Sequence, residues 1–385
     1  MLNILDWSID TLSKRSIRIG AGGLIIAGLL GLIHPASFFH AYLAAFLCWT
    51  GIGFGAMAFL LLHHSSGGRW PVTIRPILEA GTSTTFLAVL LFLPILVGMG
   101  WLYSWYGNDA HWHHPFLSGG WFVIRAIIYF AIWCAGAFLL DLRSCRNVGI
   151  DKARRDVPLG TAGLLIFFVT MSLAAIDWIG TLQEHWYSSI IGLYVIIGQA
   201  ISALAVCVMI VNCNVRDAEP RGECPVSADL RQDLGTLLLA CVVLHAYFGF
   251  SQFLIIWNGN LPHEITWYAA RSKGLWGAVS ILIIVVHFFL PFALLLSRDI
   301  KRNTTAMIRI CGTILIMRVI ESIWMVIPSM DHKHGTLWLT VPLAMAGVGG
   351  IWTTAFLWYW TKGPMLAPEP PKEEHHETNT DALHA

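Results

Sequence analysis

The stretch LGTAGLLIFFVTMSLAAIDWIGTLQEHWYSSIIGLYVIIGQAISALAVCVMIV, residues 159–211, decides the fold. It holds two long apolar runs, and each is long enough to cross a bilayer core of roughly 30 Å as a helix. Glu184 and His185 lie between the runs, and Asp177 lies inside the first. Backbone in hydrocarbon must satisfy its own hydrogen bonds, so such runs are helices. The pattern repeats along the chain. Of 385 residues, 56% are hydrophobic and 12% charged, against roughly 25% charged in a soluble domain. Ten spans are predicted, at about residues 18–34, 37–62, 78–103, 121–140, 159–183, 187–211, 235–257, 273–297, 304–328 and 337–360. The predicted fold class is therefore an all-α integral membrane protein with ten transmembrane helices. Residues 1–17 precede the membrane domain of residues 18–362, and residues 363–385 follow it.

The basic residues set the orientation. With ten spans, both termini and the even-numbered loops share one side. That side carries 18 of the 24 Lys and Arg residues, the other side carries Arg271, Lys273 and Lys333, and Arg125, Arg309 and Arg318 fall within spans. The positive-inside rule then places both termini in the cytoplasm of a multi-pass protein. No small-residue cleavage site follows the first span, so it reads as a membrane helix and not as a signal peptide. Leu2, Leu5, Ile9 and Leu12 share a helical face, and the leader is expected to lie on the cytoplasmic membrane surface. The tail APEPPKEEHHETNTDALHA is poor in apolar residues and is expected to be disordered.

The eight cysteines are scattered, most of them in apolar runs. Neither a covalent haem nor an iron–sulfur or zinc site is suggested by their spacing. GWLYSWYGNDAHWHHPF, residues 100–116, places aromatic residues at the outer membrane interface. It also holds His111, His113 and His114, which read as a polar rim for an external partner more readily than as a metal site.

Ionisable residues inside a span are costly to bury and so are candidates for function. Asp177 lies six residues before Gln183, or about 9 Å inside the outer boundary at 1.5 Å per residue. It shares a face with Thr170, Thr181 and Glu184. Arg125, at comparable depth in the fourth span, is its expected ion-pair partner, and Tyr129 lies one turn further on. Two readings stay open, and they are compatible. Asp177 fixes helix packing as half of a buried ion pair, or it accepts protons or contacts a quinone.

A second set is predicted near mid-membrane: Gln199 in the sixth span, His245 and Gln252 in the seventh, His287 in the eighth, and Arg318 and Glu321 in the ninth. Four consecutive helices carrying such groups point to a buried polar network or a water-filled path. Pro291 cannot give the amide that would bond the His287 carbonyl in an α-helix. Glu79, with His63 and His64, forms a candidate proton entry on the cytoplasmic side, or an ordinary solvated interface. His245 and His287 also raise a bis-histidine b-type haem, without a clear glycine pattern to house it.

These residues carry a family resemblance. The chain resembles the NrfD-like (polysulfide reductase family) integral membrane subunits, and among them the shorter such subunit of bacterial alternative complex III, a quinol:cytochrome c oxidoreductase. The matching stretches are LLLHHSSGGRWPVTIRPILEAG, LLFLPIL, FVIRAIIYFAIW, AAIDWIGTLQEHWYSSIIG, FGFSQFLIIWNGNLPHEITWY, FFLPFALLLSRDIKRN and MRVIESIW, in order over about residues 38–362. The resemblance implies two four-helix bundles, spans 2–5 and 6–9, with spans 1 and 10 flanking them. It implies a subunit without redox cofactors of its own, in the bacterial cytoplasmic (inner) membrane. Its implied partners are a larger NrfD-like paralogue and external subunits carrying iron–sulfur clusters and haem c, with menaquinol or ubiquinol as the candidate ligand and no nucleic acid. The implied role is membrane anchor and proton path, with Glu79, Asp177, His245, His287 and Arg318 as candidates along it. The loop GNLPHEITWY departs from the family pattern at His263 and Thr266. The rival reading is a standalone transporter, for which broken helices in corresponding halves would be the signature. The third reading is a b-haem or quinol-binding membrane subunit of another oxidoreductase.

Overall fold

The computed structural model describes residues 2–67, 70–107, 117–144, 150–183, 186–221, 226–262, 264–330, 336–362 and 366. Among them lie ten helices long and apolar enough to cross a membrane. They are Ile9–Ile33, Pro35–Ser66, Pro71–Val97, Gly119–Leu140, Gly160–Leu182, Ile191–Ala218, Ala228–Gly259, Gly274–Leu295, Thr304–Ser329 and Leu337–Trp360. All ten predicted spans are present, and the described residues contain no strand. Ten crossings return the chain to the side on which it starts, called here the terminal face; the opposite side is the far face.

Several boundaries differ from expectation for local reasons. The helix that contains the first span runs unbroken from Leu2 to Ile33, so leader and span form one rod. The third span starts earlier than expected, in the helix Trp70–Ser83. Arg75 Nε donates to Glu79 Oε1 at 2.7 Å, one turn apart, so the charges in its first turns pair on the helix surface. The span ends at Val97, where Gly98 caps it, and the expected last turn is a separate helix, Met99–Leu102.

The eighth span changes type within the bilayer. It is α-helical over Gly274–Leu282, a π-helix over Ile283–Phe289 and α-helical again over Leu290–Leu295. A π register shifts each bond one residue further along the chain. The His287 carbonyl was expected to lack a partner because residue 291 is proline. In π register its partner position is Phe292, which has an N–H.

The second span packs on the third and fifth, and the fourth closes the ring between them. The sixth likewise packs on the seventh and ninth, and the eighth closes that ring. The fold is thus two four-helix bundles, and the first and tenth spans pair with each other against the second and third. The second and sixth spans join the bundles at the centre of the molecule. A side-chain carbon at Gly55 would overlap the backbone of Gln199. Small residues at such crossings let two membrane helices approach closely. Large apolar side chains on the outer faces, such as Ile25, Leu90, Val97 and Ile316, are exposed, as a lipid solvent requires. His111, His113, His114, Glu184, His263 and the tail from residue 367 lie outside the described residues.

Candidate functional site

Three of the expected mid-membrane residues converge on the carboxylate of a fourth, Glu321, inside the second bundle. Glu321, fully buried, sits one turn beyond Arg318 on the ninth span. Arg318 Nη1 donates to Glu321 Oε2. His245 from the seventh span brings Nε2 to 3.1 Å from Oε1, and His287 from the π segment brings Nδ1 to 3.1 Å from Oε2. Tyr194 of the sixth span donates its phenol to Oε1 and stacks on the His245 ring at 4.5 Å. Arg318 Nε donates to Ser202 Oγ at 3.2 Å. A side-chain carbon at Gly198 would lie 2.5 Å from the guanidinium, so a glycine makes the room that Arg318 occupies.

Sequence reasoning missed Tyr194 and Ser202. A signal was available: Tyr194, Gly198 and Ser202 recur every fourth residue and so line one helical face. Gln199 is one residue off that face, turned away by about 100°. It does not join the centre; its Nε2 lies 3.5 Å from Met171 Sδ, against the second span.

The centre holds two competing hydrogen-bond states. His245 Nε2 is 3.4 Å from Arg318 Nη1 as well as 3.1 Å from Glu321 Oε1. A neutral ring nitrogen either donates or accepts. As an acceptor it takes the Arg318 proton, and as a donor it serves Glu321. A shift of one proton on the imidazole therefore exchanges its partner. His287 is buried, and neither of its ring nitrogens makes an aligned hydrogen bond, although Nδ1 is close to the carboxylate. Buried polar atoms left this way are uncommon and call for a reason.

His287, His245 and Tyr194 border a cavity of about 1040 Å³. Most of its wall is apolar or aromatic, including Trp267, Phe288 and Trp324. Tyr247 and Phe250 of the seventh span and Ile281 and Phe289 of the eighth also line it, and all four are exposed on the outer surface. The cavity therefore opens sideways between those spans. Towards the far face it ends at Trp186, Trp267 and Arg271. The two tryptophans stack at 4.2 Å, and the Arg271 guanidinium lies 3.3 Å above Trp267.

Arg271 is buried in the short helix Thr266–Arg271. It donates to the carbonyls of Trp267 at 2.9 Å, Trp324 at 3.0 Å and Met325 at 2.8 Å, and to Ser329 Oγ at 3.0 Å. Burial pulls its pKa down to about 9, since these acceptors are neutral. The residue clamps the far-face cap onto the end of the ninth span.

The first bundle holds the second ionisable centre. Arg125 Nε and Nη2 donate to the two oxygens of Asp177 at 2.8 and 2.9 Å, and Tyr129 adds a third bond at 3.0 Å. The expected pair is therefore formed, with the expected tyrosine. Thr170 and Thr181 share the helix but not the carboxylate. Thr170 accepts from Trp133 Nε1 at 3.0 Å, and Thr181 donates to the Asp177 carbonyl at 2.6 Å. Glu79 is half-buried against Arg75, apart from the Glu321 centre. Glu184 falls outside the described residues.

Ligand atoms of His245, His287 and Glu321 lie within 4.8 Å of one another. Arg318 shares the same carboxylate, so a divalent ion there would face a guanidinium across one oxygen. A bis-histidine haem fits poorly as well. The ring centroids are 5.2 Å apart, and the facing nitrogens converge on Glu321 instead of opposing each other across an iron. Compared with protein-family models and with curated proteins, the chain matches none.

Proposed function

We propose that the chain is a membrane subunit of a respiratory quinol:electron acceptor oxidoreductase, of the NrfD-like kind its sequence resembles, and that the Glu321 centre handles protons of quinol oxidation. One observation carries this reading. A fully buried carboxylate, an arginine, two histidines and a tyrosine from four helices meet beside a cavity open to the bilayer. An apolar cavity reached sideways suits a lipid-soluble ring, and His287 offers an unengaged nitrogen to a ring hydroxyl. Oxidising a quinol releases two protons and two electrons. Glu321 and His245 can take up and pass on the protons by exchanging hydrogen-bond partners. The electrons need an acceptor, which the external iron–sulfur and haem c partners would supply. The distribution of Lys and Arg supports termini in the bacterial cytoplasm, which makes the far face external.

The test is a mild-detergent pull-down of the tagged chain with mass spectrometry and a reduced-minus-oxidised visible spectrum. Co-purified haem c and iron–sulfur subunits, reduced on adding quinol, are expected. A colourless, solitary chain would contradict the proposal and favour a transporter.

A further inference from the structure

Beside the large cavity lies a second one of about 420 Å³, at the far face between the two bundles. Its wall is markedly more polar, with Thr181, Gln183, Ser188, Ser189, Gln252 and Glu264. The two cavities share three lining residues, Trp186, Ile191 and Gln252. Of these three, Gln252 carries the side-chain amide, beside the indole N–H of Trp186. It lies seven residues beyond His245 on the same helical face, or about 10 Å along the axis. Its Oε1 accepts from the Ser188 hydroxyl. Ser188 is itself fixed, because its Oγ accepts the backbone N–H groups of Ile190 at 3.2 Å and Ile191 at 3.0 Å. The movable half of the bond is therefore the glutamine side chain.

We infer that the smaller cavity is the outward water path of the Glu321 centre, and that the Gln252–Ser188 hydrogen bond is the gate that closes it. The inference rests on the proton role proposed for Glu321. With the bond made, the neck consists of an amide wedged between Trp186 and Ile191, and the large cavity communicates with the bilayer alone. With Gln252 rotated away, water joins the two cavities. A proton leaving His245 or Glu321 then passes along water to the vestibule, where Glu264 is a carboxylate able to take it before bulk solvent. Thr181, whose hydroxyl donates to the backbone carbonyl of Asp177, lines the same vestibule. Gln252 and Ser188 are positioning residues in this scheme.

The test uses sealed vesicles carrying the full chain with Ala246→Cys, a position lining the large cavity. A trimethylammonium methanethiosulfonate, which cannot cross lipid, is applied to the side carrying residues 260–273, and the chain without the added cysteine gives the background. Gln252→Ala should raise the labelling rate at least tenfold, and Ser188→Ala, which removes the partner hydroxyl together with the acceptor of the Ile190 and Ile191 N–H groups, should raise it in the same direction. Equal rates in the parent and both variants would overturn the gate. Labelling does not depend on what the protons do. If the rates respond but Glu321→Gln leaves quinol turnover unchanged, the gate stands and the proton reading of Glu321 fails.

Discussion

The Arg125–Asp177 pair makes a quantitative prediction about the first bundle. The carboxylate side chain is 1% exposed and the guanidinium side chain 13%, so neither charge is solvated from outside. Two parallel bonds of 2.8 and 2.9 Å join them, and Tyr129 satisfies a further lone pair. Removing one partner of a buried pair strands the other, at a cost of about 3–5 kcal/mol. Arg125→Met and Asp177→Asn should each lose about that much stability. The double variant buries no charge, and it should lose far less than the sum of the two. The assay is chemical unfolding of the purified chain in mixed micelles, followed by tryptophan fluorescence; the chain has 18 tryptophans. A double variant as unstable as the sum would refute the reasoning, since the residues would then act independently. If Asp177→Asn instead keeps full stability but loses turnover, the carboxylate serves proton chemistry and not packing.

Two further predictions concern the second bundle. Gly198→Ala places a carbon 2.5 Å from the Arg318 guanidinium, so the Arg318–Glu321 pair must shift; quinol turnover should fall at least tenfold while the chain still elutes as a folded species on size exclusion. Arg271→Leu removes bonds to three carbonyls and Ser329. It should destabilise the protein by about 2–4 kcal/mol, from buried acceptors left unpaired, and expose the cap helix to limited proteolysis near residues 260–273.

The fold was legible from the sequence because the bilayer leaves the backbone few options. Length and hydropathy gave ten helices, and the asymmetry of Lys and Arg agreed with an even number of crossings. The grouping into bundles came from the family resemblance, and the helix contacts bear it out. Boundaries such as Trp70 and Val97 were less legible, since they depend on one ion pair and one glycine. In the Glu321 centre, charged residues in hydrocarbon announced themselves, and Arg125 opposite Asp177 could be read from matched depth. Tyr194, Ser202 and Gly198 could not be found from charge, because each looks like ordinary packing until Arg318 is placed against it. Gln199 was misread as a possible neighbour of the centre because depth alone ignores the 100° turn between successive residues. The π segment around His287 has only Pro291 as a sequence sign, and proline more often signals a kink.

Quinol-driven haem reduction in the purified complex, compared between the native chain and Glu321→Gln, tests the central proposal most directly. The substitution keeps the shape of the side chain and removes its charge and proton. If Glu321 handles the protons of quinol oxidation, the complex assembles with its haem and the reduction rate falls at least a hundredfold, matching the usual contribution of a positioned acid–base group. An assembled complex that reduces its haem at the native rate would contradict it.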